Sequence, residues 1–205
     1  MRELQEAVAV GSVPGADALR SRDIDPQTGL PSARVVEGSL ASWFSTNWWG
    51  RKCSVVKFQI DGFERYAKSE DDEEVDLALF IVGLVLKGHA HRNNLVGRSA
   101  SGEFIVLLPG VGVRRAVSFS KQVTWDVASQ FRGSGTPITV SSGVASQNGS
   151  ITHPRQLLGL ADSALRAAKW QGGNRVAVGS VAGQSRWLPQ RSWLEAVRTS
   201  RAAPN

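Results

Sequence analysis

Side chains that could do chemistry are few in this chain and unevenly placed. Glu70, Asp71, Asp72, Glu73, Glu74 and Asp76 bring six carboxylates into seven positions, so the rest of the 205-residue chain is more basic than its net charge of +6 suggests. A diffuse basic background favours phosphate-bearing partners, nucleotide or nucleic acid, although a soluble Arg-rich surface accounts for it equally well. His89 and His91 are two residues apart, a spacing that separates them on a helix and joins them on a strand, and no third ligand accompanies them, so no metal site is expected there. Cys53 is the only cysteine, which excludes a disulfide framework and a Cys-rich zinc site and points to a reduced, cytoplasmic setting. The turn at Ala100, Ser101 and Gly102, between two short extended segments, is where reacting groups could gather.

Positioning these residues requires alternating helices and strands. Ala33, Val36, Leu40 and Phe44 recur at helical spacing and predict a helix over 33–44. Val56, Phe58 and Ile60 alternate with Lys57 and Gln59, the period of a half-buried strand, which Asp61 and Gly62 end. Glu74 to Leu86 opens acidic and closes on Lys87, the charge order a helix dipole prefers, with a face apolar enough to predict a central core helix. Asn94–Arg98 and Phe104–Leu108 read as a hairpin stopped by Pro109, Arg114–Phe131 as a helix, Ile138–Ala145 as extended, Pro154–Lys169 as a helix and Arg175–Val178 as a last strand. The pattern predicts an α/β fold in which a central, mostly antiparallel sheet is flanked by helices. Domain organisation follows: a helical lead-in over 1–22, a domain over 23–179, and a basic, Trp-containing tail over 180–205. The longest apolar run, Leu77 to Leu86, is about half the length a membrane span needs.

Three ordered segments carry a resemblance: Asp25-Pro26-Gln27-Thr28-Gly29-Leu30-Pro31, Gln59-Ile60-Asp61-Gly62-Phe63, and Arg98-Ser99-Ala100-Ser101-Gly102-Glu103-Phe104. Thr139-Val140-Ser141-Ser142-Gly143-Val144-Ala145, Ala161-Asp162-Ser163-Ala164-Leu165, Ala168-Lys169 and Gly172-Gly173-Asn174-Arg175-Val176 follow in order. Together they resemble the GGDEF family of diguanylate cyclases over about 23–178. The resemblance implies a nucleotidyl-cyclase palm-like fold, head-to-head pairing of two domains, and the joining of two GTP molecules into cyclic di-GMP with two magnesium ions.

Residue by residue, the same resemblance implies that this machinery is degenerate. The positions of the two metal-holding carboxylates fall on Gln59 and Gly102. Neither supplies the anionic hard oxygen that magnesium requires, so the expectation is a domain that is not an enzyme and holds no metal or cofactor. The guanine-recognition pair falls on Ala67 and Asp76, and the inhibitory-site Arg and Asp fall on His91 and Asn94. Of the triphosphate contacts, Lys169 is kept, the Arg falls on Gly173, and the Gly62-Phe63-Glu64 loop brings an acid where phosphate would lie. Gly62, Phe63, Asp76, Arg98, Glu103 and Lys169 are therefore the candidate vestigial nucleotide contacts.

The reading that results is a catalytically inactive GGDEF-like domain acting by binding in bacterial cyclic di-GMP signalling, as a protein-interaction module, a homodimer, or a sensor of GTP or cyclic di-GMP. Trp48, Trp49, Trp187 and Trp193 are the candidate partner contacts, since tryptophan is favoured at binding hot spots. Two alternatives stand beside it. One is a divergent nucleotidyl cyclase using Asp61 and Glu103 as a nonstandard metal pair; the other is a basic nucleic-acid-binding protein.

Overall fold

The protein is described by a computed structural model over residues 23–47, 51–99, 101–133, 135–180 and 186–187. Along the chain run α1 (Ala33–Asn47), β1 (Cys53–Ile60), α2 (Phe63–Ser69), α3 (Asp72–His89), β2 (Leu95–Arg98) and β3 (Glu103–Pro109). Then follow α4 (Val113–Gln130), β4 (Val140–Ser146), α5 (Pro154–Trp170), β5 (Val176–Val178) and the two-residue β6 (Arg186–Trp187). They form one sheet of order β2-β3-β1-β4-β5-β6, antiparallel except for the β4–β5 pair.

Burial on both faces explains the strand sequences. Val56, Phe58 and Ile60 of β1 join Leu79, Val82 and Leu86 of α3 and Val123 and Val127 of α4 in one core. The opposite parity, Cys53 and Val55, packs with Val36, Leu40 and Phe44 of α1 and Leu157 and Ala161 of α5 in a second. Helices thus cover each side, and strands enclosed in this way read as near-continuous apolar runs. This corrects the expectation of a half-buried β1 starting at Val56: the strand begins at Cys53, and its buried serine and cysteine hide the period. Burial pushes the Cys53 thiol up to about 12, so it stays protonated.

Where Lys57 and Gln59 share the face turned toward α5, each meets a polar partner: Lys57 pairs with Asp162 at 2.6 Å and Gln59 meets Lys169. The close approach of α5 to β4 depends on Gly143, where a Cβ would lie 2.1 Å from the Ala161 carbonyl oxygen.

Two further expectations are corrected. The sequence pattern predicts no element over 63–69, yet α2 forms there, led in by Gly62 at φ +68°. The helix α3 is not enclosed: Ala78, Leu79, Val82 and Leu86 are buried, while Leu77, Phe80 and Leu84 are 50%, 38% and 49% exposed. Its N-terminus is capped by Asp71, whose side chain accepts from the Glu74 amide at 2.9 Å, so part of the acidic run has a local structural role. At its other end His89 meets Asp126 at 2.6 Å across to α4. The lead-in over 1–22, Trp48, Trp49 and Trp193 lie outside the described residues, and Trp187 enters as the strand residue opposite Ala177. Among the described residues no helix is long and apolar enough to cross a membrane.

Candidate functional site

The sequence-predicted residues converge on one corner, where the C-terminal end of β1, the β2–β3 turn, the start of β4 and the loop after α5 meet. Gln59 sits beside Glu103 on β3 and Ser141 on β4. Its Oε1 accepts from Lys169 Nζ at the end of α5, and its Nε2 donates to the Ser101 carbonyl at 3.5 Å. Lys169 is thereby held on a neutral amide.

Asp61 is a hub. Its Oδ1 accepts from Ser141 Oγ at 2.6 Å, and its Oδ2 accepts from Thr139 Oγ1 at 2.7 Å and from the Asn174 amide at 2.7 Å. Its own amide donates to the Thr139 carbonyl at 2.9 Å. The carboxylate therefore ties β1, β4 and the α5–β5 loop together. Gly173, at φ +73°, makes room for it, because a Cβ there would lie 2.9 Å from the Asp61 carboxylate carbon.

Gly102, buried in the β2–β3 turn at φ +72°, has no such room. A Cβ on it would lie 2.5 Å from Cγ of Phe63, whose ring, on the first residue of α2, lies against that backbone. The space that a side chain at this position would need is thus filled by the Phe63 ring. Glu103, half-buried, follows on β3, and among the described residues no hydrogen bond or ion pair reaches its carboxylate.

Arg98 turns inward. It is 6% exposed, its Nη1 donates to the carbonyls of Ser99 and Glu103, and its guanidinium lies 5.2 Å from the centre of the Phe104 ring. Burial lowers its pKa, while Asp25 and Glu103 act in the opposite direction. It braces the turn from beneath. Asp76, exposed on α3, accepts from Gln27 Nε2 at 2.5 Å, and Ala67, its expected companion, is exposed on α2. Gln27 belongs to the turn over 25–30, in which Asp25 accepts from the Thr28 amide and hydroxyl at 2.9 and 2.7 Å.

The structure brings together Gln59, Asp61, Phe63, Gly102, Glu103 and Lys169, and leaves Asp76 on a different helix in a polar contact of its own. Sequence reasoning missed that Thr139, Ser141 and Asn174 would close on Asp61, and that Phe63 would close on Gly102; the only signal was their presence in the segments quoted above. The donor set does not fit magnesium. A hard cation seeks several anionic oxygens, and here Gln59 offers an amide already holding a lysine, Gly102 offers nothing, both Asp61 oxygens are engaged, and Glu103 is a single carboxylate.

Comparison with known proteins agrees with the fold and with the family resemblance. A family model described as "Diguanylate cyclase, GGDEF domain" matches residues 22–175. Diguanylate cyclase A of Treponema denticola is 25% identical over 128 residues, 61% of this chain and 34% of that protein, so the chain spans about a third of that relative's length. Among solved structures, the GGDEF domain of DgcB from Caulobacter crescentus, in complex with c-di-GMP, superposes with a TM-score of 0.72 at 23% identity, covering 78% of this chain and 98% of that one. Diguanylate cyclase SiaD of Pseudomonas aeruginosa, in complex with its activator SiaC, gives a TM-score of 0.70 at 24% identity, covering 87% and 66%. The FimX GGDEF domain of the same organism gives 0.67 at 16% identity, covering 75% and 98%.

Proposed function

The chain belongs to the GGDEF family, and we propose that in it the diguanylate cyclase fold serves cyclic di-GMP signalling by contact with protein, without turning over nucleotide. The observation that carries this reading is the filled corner: Phe63 occupies the space of a side chain at Gly102, while Lys169 sits on Gln59. A cyclase must leave that corner open to two metal ions and a triphosphate, and must present carboxylates to the metals. Asp61 and Glu103 do not replace them as a pair, because both oxygens of Asp61 accept hydrogen bonds that hold the β-sheet end to the α5–β5 loop.

Binding of the nucleotide itself is disfavoured by the same features. Asp76 already holds Gln27, Gly173 has no guanidinium, and Glu64 is exposed in the first turn of α2 beside the loop where phosphates would lie. A thermal-shift panel with GTP, GDP, ATP and cyclic di-GMP plus magnesium tests this. A ligand at a hundred times its dissociation constant adds about 2.7 kcal/mol, a shift of several degrees for a chain of this length. No shift is expected with any of the four. A shift of several degrees with GTP or cyclic di-GMP replaces the protein-contact reading with a nucleotide sensor.

A further inference from the structure

The helix α3 carries a surface that the filled corner does not use. Leu77, Phe80 and Leu84 are spaced by three and four residues and lie on one face, 50%, 38% and 49% exposed, turned away from Ala78, Leu79, Val82 and Leu86 in the core. Single exposed apolar residues are ordinary, whereas a stripe of them along one helix marks a surface that is covered by something. Glu73 and Lys87, both exposed, continue the same four-three spacing at either end, so the stripe is acidic at its start, apolar at its centre and basic at its finish.

That order is self-complementary in one arrangement only. Phe80 is equidistant in sequence from Glu73 and Lys87. Turning a second helix end for end about Phe80 sets Glu73 against Lys87 twice and brings Leu77 within one residue of Leu84 twice. A parallel arrangement would instead set Glu73 against Glu73 and Lys87 against Lys87, which is repulsive. A twofold interface of this kind uses the same patch on both partners and closes after two copies.

We propose that the outer face of α3 pairs antiparallel with the same face of a second copy of this chain, about a twofold axis through Phe80. The pairing is independent of the proposed absence of turnover, since it uses none of the residues of the filled corner.

Sedimentation equilibrium of the full chain tests it. A monomer–dimer equilibrium is expected below about 100 μM, with Phe80→Glu weakening it at least about tenfold at an unchanged melting temperature of the monomer. Glu73→Lys alone, which opposes lysines at both ends of the pair, is expected to weaken dimerisation about three- to tenfold, and adding Lys87→Glu to restore it. A chain that stays monomeric throughout overturns the proposal. So does a dimer that Phe80→Glu leaves intact, which places the interface elsewhere, or a double charge reversal that weakens association further, which excludes the antiparallel arrangement. Nucleotide turnover, if found, would refute the proposed function and leave these results as they stand.

Discussion

The corner at the end of β1 and the outer face of α3 have departed from expectation in opposite directions. At the corner, polar groups suited to a ligand are turned on one another: Asp61 accepts three hydrogen bonds, Gln59 holds Lys169, and Phe63 fills the space at Gly102. On α3, side chains suited to a core stand in solvent, with Leu77 half exposed. Closing a polar site and opening an apolar one shifts the free energy available for binding from a pocket to a surface, because apolar area removed from water is favourable and an engaged carboxylate has little left to give. The same fold can therefore be kept while the place where it meets a partner moves.

Removing the hub is the strongest way to break this contrast. Asp61→Ala deprives Thr139, Ser141 and the Asn174 amide of their acceptor, and hydrogen bonds to a charged group contribute about 1.5–3 kcal/mol each before relaxation. A loss of roughly 3 kcal/mol and a fall in melting temperature on the order of 10 °C are expected by thermal denaturation. If Asp61 were instead poised for a ligand, its removal would leave stability nearly unchanged. A smaller effect is expected from restoring a carboxylate with Gly102→Asp, which forces the Phe63 ring aside at a positive φ and costs roughly 2 kcal/mol. In a Phe63→Ala background that cost should fall by about 1 kcal/mol, a coupling that a double-mutant cycle reads from urea denaturation.

The contact on Gln59 is weaker. Lys169 is exposed, so Lys169→Met should change stability by less than about 1 kcal/mol in chemical denaturation. Smallest is the effect on the free chain of trimming the outer face: Leu84→Ala is expected to cost under about 0.5 kcal/mol, whereas Leu86→Ala, two residues along and fully buried, is expected to cost about 2–5 kcal/mol. A comparable loss from both, measured at a protein concentration low enough to hold the chain monomeric, would mean that the face is part of the core.

These differences also mark what the sequence makes legible. Helices α1, α4 and α5 and the β2–β3 hairpin follow from periodicity and turn residues, since each buries one regular stripe or is bounded by Gly and Pro. The ordered motifs from Asp25 to Val176 make the family legible, and with it the positions of Gln59 and Gly102 in the site. The first residues of β1 are not legible as strand, because a strand covered on both faces carries no alternation. The helix α2 is too short, and too polar in its Glu64-Arg65 and Lys68-Ser69 pairs, to show a period. On α3 the period is clear but ambiguous: an apolar residue meant for another surface looks the same in sequence as one meant for the core, so Leu77, Phe80 and Leu84 read as buried. The corner was named from its residues, yet its closure depends on pairs far apart in sequence, Phe63 with Gly102 and Asp61 with Asn174, whose proximity only the folded sheet creates.

The central claim is the absence of turnover, and it is tested most directly by incubating the full chain with GTP and either magnesium or manganese and assaying for cyclic di-GMP and released pyrophosphate. The account predicts neither product above a protein-free control, with wild type and Glu103→Gln indistinguishable. Metal-dependent formation of cyclic di-GMP that disappears in Glu103→Gln would contradict it, and would make Glu103, whose carboxylate accepts no hydrogen bond among the described residues, a metal ligand after all.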